Sequence, residues 1–240
     1  MSSPARFTKG VTNVDSANTM GQLIIPDPTS CFVWMQDFDK YDPGEWFITR
    51  IKSLNTTAGS ETVSDASNGI LAVTASAGDD DSVFFQWKGY SNVSTASEVF
   101  TLESTKKLWF KSKFKVSNTG DSDFIIGLQS ADTTPLTSPV DSVIWKSDDG
   151  DDYADFQIYK GSAASLNDTA IATMVDDTYV TVGFYWDGVD TIQYFYNDLL
   201  QGSNTADNPT AAMSPIFGVQ NGSAVARIMT VDYMCVVKER

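Results

Sequence analysis

Histidine is absent from this chain of 240 residues. Its absence excludes Ser-His-Asp and Cys-His nucleophilic catalysis, and it excludes metal sites built on histidine ligands. The sequence also lacks a phosphate-binding loop, a Gly-rich dinucleotide fingerprint and a Cys-x-x-Cys pair. These absences predict a protein without a cofactor or a metal centre, and they favour a structural or binding role over an enzymatic one.

Cysteine is scarce as well. Cys31 and Cys235 are the two cysteines, which is too few for a disulfide framework. Because they lie far apart in the sequence, a single disulfide between them stays open as an alternative. We expect two reduced, buried thiols.

Positive charge is scarce relative to negative charge. The 16 lysines and arginines face 31 aspartates and glutamates, which gives a formal net charge of −15. Such a chain repels phosphate backbones and anionic bilayers, so neither nucleic acid nor a membrane is predicted as a partner. No run approaches the roughly 18 to 20 apolar residues of a membrane span, and the first residues lack an apolar secretory signal. We therefore expect a soluble protein that is synthesised in a cytoplasm.

Glutamate is the rarer acidic residue and stands at positions 45, 61, 98, 103 and 239. Glycosidases need two carboxyl groups at a fixed separation, and jelly-roll glucanases place theirs on one strand face in a Glu-x-Asp-x-x-Glu pattern. None of the glutamates falls in such a pattern, and the sequence singles out no pair of aspartates. Glycoside hydrolysis is therefore the least favoured function.

What the sequence does contain is a series of short strands separated by turns. The clearest strand is Leu108–Val116, which alternates with period two between an apolar face and a basic face. Other strand signals lie at 32–35, 46–48, 70–74, 83–87, 124–129, 143–146, 153–159, 179–186, 191–196 and 227–237, and Asp187-Gly188 favours a hairpin turn. With little helical periodicity, this pattern predicts an all-β fold, a two-sheet antiparallel jelly-roll sandwich.

Residues 1–30 differ from the rest of the chain. They lack alternation and contain Pro26 and Pro28, whereas the strand signals lie in residues 31–240. We expect an extended N-terminal arm followed by one sandwich domain, with a frayed terminus as the alternative. The arm residues predicted to dock on a partner are its cations and apolar side chains, namely Arg6, Phe7, Lys9, Leu23, Ile24 and Ile25.

The basic face beside Leu108–Val116 is a second candidate docking surface. It carries Lys107, Lys111, Lys113 and Lys115. These lysines could bind an acidic neighbouring protein. The favoured alternative is that they pair with carboxylates on adjacent strands.

Two groups of aspartates, at 79–81 and 148–152, bring oxygen ligands close together, as Ca²⁺ sites do. Neither group has the alternating spacing of an EF-hand loop. Solvated hairpin loops are therefore the favoured interpretation, and no metal ligands are assigned.

A group of aromatic residues surrounds the Asp187-Gly188 turn. Its members are Tyr179, Tyr185, Trp186, Tyr194 and Tyr196. Such a surface could stack on a sugar ring. The favoured interpretation is that alternate members fill the core and the others meet a subunit interface.

Eight segments carry a family resemblance: residues 6–14, 37–41, 109–116, 127–129, 183–188, 192–195, 217–222 and 229–233. Together they resemble the concanavalin A-like jelly-roll proteins found among the structural genes of tailed bacteriophages. The resemblance covers nearly the whole chain and is more specific from Trp109 onward.

The resemblance implies a non-enzymatic capsid decoration or cement protein that binds the major capsid protein at the virion surface, as a homotrimer. The alternative is a lectin-like module that binds a surface glycan, on the virion surface or in the tail. The loop ligands with which lectin relatives hold Ca²⁺ and sugar have no match here, so the resemblance assigns no sugar or metal residues.

Overall fold

The computed structural model describes residues 19, 30–52, 60–64, 69–88, 98–137 and 139–240. A short 3-10 helix, Pro43–Glu45, precedes the second strand. The strands are β1 (Cys31–Gln36), β2 (Trp46–Ile51), β3 (Ser60–Ser64), β4 (Ile70–Thr74), β5 (Ser82–Trp87), β6 (Leu108–Val116), β7 (Ser122–Gln129), β8 (Ser142–Lys146), β9 (Tyr153–Lys160), β10 (Ala163–Thr173), β11 (Val180–Trp186), β12 (Ile192–Tyr196), β13 (Leu199–Asn204), β14 (Ser214–Asn221) and β15 (Ile228–Glu239). Within the described ranges, no helix has the length and apolar character needed to cross a membrane.

The strands form two antiparallel sheets. Sheet A has the order β13, β12, β11, β6, β15, β4, β3, and β1 pairs with the C-terminal half of β15. Sheet B has the order β10, β9, β8, β7, β14, β5, β2. This arrangement confirms the predicted two-sheet antiparallel jelly-roll sandwich.

The core lies between the two sheets because alternate side chains of each strand point inward. On β6 the predicted apolar face is buried, whereas Lys111, Lys113 and Lys115 point away from the core. A hydrogen bond joins the sheets where the Trp145 Nε1–H donates to the carbonyl of Gly183 at 3.2 Å. Burial of one large apolar side chain contributes about 2 to 3 kcal/mol. The apolar core between the two sheets therefore supplies most of the stability.

The predicted Asp187-Gly188 turn joins β11 to β12. Gly188 has a φ of 81°, a left-handed conformation that glycine adopts without a Cβ clash. The Asp187 carboxylate accepts the backbone N–H of Val189 at 2.7 Å. The turn sets a register in which Tyr185 stands opposite Gln193.

The two cysteines lie on neighbouring strands of sheet A but not opposite each other. Cys31 stands opposite Glu239, and Cys235 stands opposite Met35. This four-residue offset separates them by ~13 Å along the strands, beyond the roughly 7 Å between Cα atoms that a disulfide spans. Both cysteines are free and partly exposed, so the expected burial is only partial, and the reduced state stays a prediction.

Candidate functional site

The outer face of sheet B, turned away from the core, gathers buried polar and charged side chains. We call it the sheet B face. Residues opposite one another in the strand register form three rows across it. The first row forms the polar end of the face and consists of Ser214, Gln129, Ser142 and Tyr159. The second row consists of Gln86, Ile216, Gly127, Ile144 and Gln157. The third row consists of Phe84, Gly218, Ile125, Lys146 and Asp155, and its last two members belong to the charged end of the face.

The middle of the sheet B face is an apolar floor. Its members form a cluster distinct from the main core and are at most 1% exposed: Phe84, Ile125, Ile144 and Ile216. Leu136, in the loop between β7 and β8, packs onto this floor. Two hydrogen bonds hold the loop in place, from Gln86 Nε2 to the Ser130 carbonyl and from the Asp132 N–H to Gln86 Oε1, both 3.1 Å. The β7–β8 loop therefore helps to close the floor from solvent.

At the polar end, two buried atoms lack a hydrogen-bond partner. Gln129 and Ser142 stand directly opposite each other on β7 and β8, and both residues are 0% exposed. Gln129 Nε2 donates to the Pro135 carbonyl at 3.2 Å, but Gln129 Oε1 and Ser142 Oγ find no partner among the described residues. An unpartnered buried polar group costs about 1 to 3 kcal/mol. The pair is therefore suited to a hydroxyl or a water molecule that bonds to both atoms.

At the charged end, burial raises the pKa of Asp123 to about 6. The backbone N–H of Asp149 donates to this carboxyl and opposes the shift, as does the Lys146 ammonium. The carboxylates of Asp149 and Asp148 raise the pKa further. A carboxyl group with this pKa is partly protonated at mildly acidic pH, a property that acid–base catalysis or a pH-dependent contact uses.

Lys146 and Asp155 complete the charged end and stand opposite each other on β8 and β9. The Lys146 ammonium pairs with Asp148, with Nζ and Oδ1 2.5 Å apart. The Asp155 carboxylate accepts the Ala170 N–H at 2.7 Å, and burial raises the pKa of Asp155 against the effect of that hydrogen bond. Three neighbouring strands thus bring two carboxyl groups with raised pKa values and one cation to one end of the face.

The aspartate groups at 79–81 and 148–152 participate in loop hydrogen bonds. Asp81 is fully buried, and its carboxylate accepts from Ser76 Oγ at 2.6 Å and from the Gly78 N–H at 3.0 Å. Asp152 accepts from Thr119 Oγ1 at 2.5 Å. Across the ranges that the structure describes, no group of three or more potential metal ligands is found. Hairpin-loop structure accounts for these contacts.

The lysines predicted as a docking surface lie on or beside the outer face of sheet A, which we call the sheet A face. Three of them form ion pairs within the chain: Lys111 with Asp198 at 2.6 Å, Lys113 with Asp232 at 2.5 Å and Lys115 with Asp177 at 3.0 Å. The backbone N–H of Lys107 donates to the Glu239 carboxylate at 2.8 Å. These contacts match the alternative in which the lysines pair with nearby carboxylates, and the docking role stays a prediction.

The predicted docking residues of the arm, Arg6, Phe7, Lys9, Leu23, Ile24 and Ile25, lie outside the described residues. Thr19 is described, and its Oγ1 donates to Gln193 Oε1 on β12 at 2.9 Å. This contact places Thr19 on the sheet A face of its own domain.

The aromatic residues around the β11–β12 turn divide between the core and the surface. Three of them belong to the main core: Trp186, Tyr194 and Tyr196. Tyr185 lies on the sheet A face and packs on Trp109, with ring centroids 5.2 Å apart. The Tyr179 ring lies beneath the Lys113 ammonium at 4.9 Å. Core filling accounts for the first three residues, as the favoured interpretation predicts.

The sequence matches no protein-family model and no curated protein, but solved structures share its fold. A β-1,3-1,4-glucanase (lichenase) derived from a mouse hindgut metagenome has a TM-score of 0.58 at 12% identity, over 85% of this chain and 98% of that one. The Bacillus licheniformis β-glucanase has a TM-score of 0.55 at 14% identity, over 85% and 97%. The endo-β-1,4-glucuronan lyase of the fungus Trichoderma reesei has a TM-score of 0.55 at 10% identity, over 85% and 94%. The chain has the concanavalin A-like jelly-roll fold of these proteins.

These likenesses correct two predictions from the sequence. The role of capsid decoration protein of a tailed phage is wrong, because the similar folds are those of glucanases and a lyase. The prediction of a non-enzymatic protein is corrected by the same finding, since enzymes share this fold. The trimer, the capsid-protein partner and the virion location depend on the phage role and stay untested.

The sheet B face was not predicted from the sequence. Alternation alone puts Asp123, Ile125 and Gln129 on one side of β7, and this signal is present in the sequence. The lateral register that sets Gln129 beside Ser142 has no counterpart in a single strand's pattern. The missing information was therefore which strands are neighbours.

Proposed function

We propose that the protein is a carbohydrate-active jelly roll that binds a neutral glycan along the sheet B face. The observation that carries this proposal is the composition of the face: an apolar floor between a hydroxyl-bearing polar end and a charged end. A sugar presents apolar ring faces edged by hydroxyl groups. These complement the face when the β7–β8 loop moves off the floor, because the floor residues are at most 1% exposed in the structure. The fold shared with glucanases supports the same class of ligand.

The charge of the chain favours a neutral glycan over an anionic one. The net charge is −15, and Asp148 and Asp149 are exposed beside Asp123. Lys146 is already paired with Asp148 at 2.5 Å. A polyuronate would therefore meet net repulsion at the charged end.

Tyr159 offers a direct test of where the glycan binds. It stands opposite Ser142 at the polar end, and its side chain is partly exposed, as is that of Tyr179 on the sheet A face. In calorimetric titrations with mixed-linkage β-glucan oligosaccharides, we expect Tyr159→Ala to weaken binding about fivefold or more, since an aromatic contact contributes around 1 kcal/mol. Tyr179→Ala should bind like the wild type.

A polyuronate of similar length serves as the charge control in the same titrations. The proposal is wrong if no neutral glycan binds, or if Tyr179→Ala weakens binding and Tyr159→Ala does not. Tighter binding of the polyuronate than of the neutral oligosaccharide would refute the assignment to neutral glycans.

Cleavage of the bound glycan is a second candidate function, with Asp123 as the proton donor. Its pKa of about 6 keeps part of the carboxyl protonated near neutral pH. Glycoside cleavage uses one protonated carboxyl group and a second carboxylate nearby. Asp148 and Asp149 are close enough to raise the pKa of Asp123.

The cleavage proposal is tested by reducing-end release from mixed-linkage β-glucan. Asp123→Asn keeps the acceptor for the Asp149 N–H but removes the exchangeable proton. We expect it to lower any release by about 100-fold or more, whereas Asp177→Asn, on the sheet A face, should not. Release that survives in Asp123→Asn would assign proton donation to another group.

A further inference from the structure

The geometry points to a hydroxyl-recognition site at the polar end of the sheet B face, formed by Gln129 Oε1 and Ser142 Oγ. This inference rests on the proposed glycan function and deepens it. It names one neutral hydroxyl group of the bound sugar as the chemical group that this end of the face recognises.

The two atoms form a matched acceptor and donor. Gln129 Nε2 donates to the Pro135 carbonyl at 3.2 Å, which leaves Oε1 free to accept. Ser142 Oγ has one O–H to donate and lone pairs that accept. Because directly opposed residues of an antiparallel pair have Cβ atoms about 5 Å apart, one hydroxyl can donate to Gln129 Oε1 while it accepts from Ser142 Oγ.

This pattern selects against charged groups. A carboxylate or phosphate would place negative charge against Gln129 Oε1. An ammonium would lose its hydration in a place where both residues are 0% exposed, a cost that a pair of neutral oxygens does not offset. A sugar hydroxyl carries no charge, and it can donate a hydrogen bond to Gln129 Oε1 and accept one from Ser142 Oγ.

Tyr159 extends the site toward solvent. It follows Ser142 in the same row, on β9, and is partly exposed. Its ring offers an apolar surface beside the hydroxyl-binding atoms. A sugar that places one hydroxyl between Gln129 and Ser142 can therefore lay a ring face against Tyr159.

The β7–β8 loop covers this site in the structure. Pro135 accepts the hydrogen bond from Gln129, and Leu136 packs onto the floor cluster. A ligand hydroxyl therefore reaches Gln129 Oε1 and Ser142 Oγ when this segment of the loop moves outward. A ligand that satisfies both atoms stabilises the open form over the closed form, in which they have no partner among the described residues.

Ser142→Ala tests the site, with Ser112→Ala as the matched control. Ser112 is also 0% exposed, but its Oγ donates to the Tyr233 carbonyl at 2.6 Å. In the full chain, we expect Ser142→Ala to weaken binding of a mixed-linkage β-glucan tetrasaccharide about tenfold, as loss of a hydrogen bond in a buried site does. Its Tm should stay equal to or above that of the wild type, because no internal bond is lost. Ser112→Ala should lower the Tm and leave the affinity unchanged.

The opposite pattern identifies a different occupant. If Ser142→Ala lowers the Tm as Ser112→Ala does and leaves the affinity unchanged, the two atoms hold a structural water molecule and the inference is overturned. Binding by the wild type with no effect of Ser142→Ala overturns the hydroxyl site alone. An absence of binding by the wild type overturns the glycan function and this inference together.

Leu136→Ala tests the cover. It keeps the bond from Gln129 to Pro135 and removes the contact between the loop and the floor. Stopped-flow measurements should show the tetrasaccharide associating at least about threefold faster with Leu136→Ala, since a larger open population raises the apparent association rate. An unchanged association rate would overturn the assignment of the loop as the cover.

Discussion

The two outer faces of the sandwich satisfy their polar groups to different degrees. On the sheet A face, Lys111, Lys113 and Lys115 each reach a carboxylate within 3.0 Å. On the sheet B face, Gln129 Oε1 and Ser142 Oγ are buried without partners in the described chain. Trp109 Nε1, on the sheet A face, is also buried without a partner in the described chain, so an unpartnered atom alone does not mark a binding site, although folded proteins pair nearly all buried polar groups. What distinguishes the sheet B face is that its two unpartnered atoms belong to directly opposed residues of β7 and β8. This juxtaposition supports the proposed binding role of the sheet B face.

Each outer face carries a small buried cluster: Phe84, Ile125, Ile144 and Ile216 on the sheet B face, and Trp109, Tyr185, Phe195 and Val237 on the sheet A face. The sheet B cluster forms a second, small core beneath Leu136 of the β7–β8 loop. Ile144 in that cluster is 1% exposed, whereas Met35, outside the sheet A cluster, is 55% exposed.

Truncation of the floor should produce the largest difference between the faces. We expect Ile144→Ala to lower the free energy of unfolding by about 3 kcal/mol, because a buried aliphatic side chain is lost and a cavity remains. Met35→Ala should cost less than about 1 kcal/mol, since its side chain is half exposed. Urea denaturation of the full chain measures both values, and equal losses would contradict a second core on sheet B.

The charge of Asp123 should give a pH-dependent effect. Its folded-state pKa of about 6 lies above the ordinary value of 3.8, so its contribution to stability is fully present below pH 3.8 and is lost as the pH rises through 6. The free energy of unfolding of Asp123→Asn, relative to that of the wild type, should therefore be about 1 kcal/mol higher at pH 8 than at pH 4, after allowance for solvent screening. Asp177→Asn is the control, and a gain for Asp123→Asn at the lower pH instead would reverse the assignment.

Lys146 should hold the pKa of Asp123 down. Its ammonium opposes the upward shift that burial causes, so Lys146→Met should raise the Asp123 pKa by about half a pH unit. Carbon-13 NMR titration of the aspartate carboxyl groups measures this change. Lys113→Met, on the sheet A face, should leave the Asp123 titration in place, and a lowered pKa in Lys146→Met would contradict the arrangement of the charged end.

The ion pairs of the sheet A face should matter least. Asp177 is 67% exposed in its pair with Lys115, and exposed pairs contribute little. We expect Lys115→Ala to lower the free energy of unfolding by about 0.3 kcal/mol, with no further loss in high salt. Denaturation at two salt concentrations checks this value. A salt-sensitive loss above about 1 kcal/mol would give the lysine strand a larger role than pairing.

The strands that could be predicted from the sequence are those in which apolar and polar residues alternate clearly. Leu108–Val116 alternates cleanly, and the structure has β6 at that position. Ala163–Thr173 escaped prediction because it is an edge strand of small and polar residues, with few apolar positions to alternate. Ser214–Asn221 contains Pro215 and Gly218, which are typical of turns, yet it lies in the middle of sheet B.

The site could be predicted from the sequence only in part, for a physical reason. Asp123, Lys146 and Asp155 belong to three strands, and their proximity follows from lateral pairing that no local pattern encodes. The raised pKa of Asp123 follows mainly from burial, a tertiary property. The period-two pattern predicts which residues share a face of one strand. Only the order of the strands in the sheet shows that residues of different strands lie together in the site.

The most direct test of the central claim is amide chemical-shift mapping of the nitrogen-15-labelled full chain during titration with the mixed-linkage β-glucan tetrasaccharide. We expect the shifted amides to cluster at Gln129, Ser142 and Tyr159, in the first row of the sheet B face. Lys113 and Tyr185, on the sheet A face, should keep their positions. Shifts confined to the sheet A face, or a spectrum that does not change at saturating tetrasaccharide, would contradict the account.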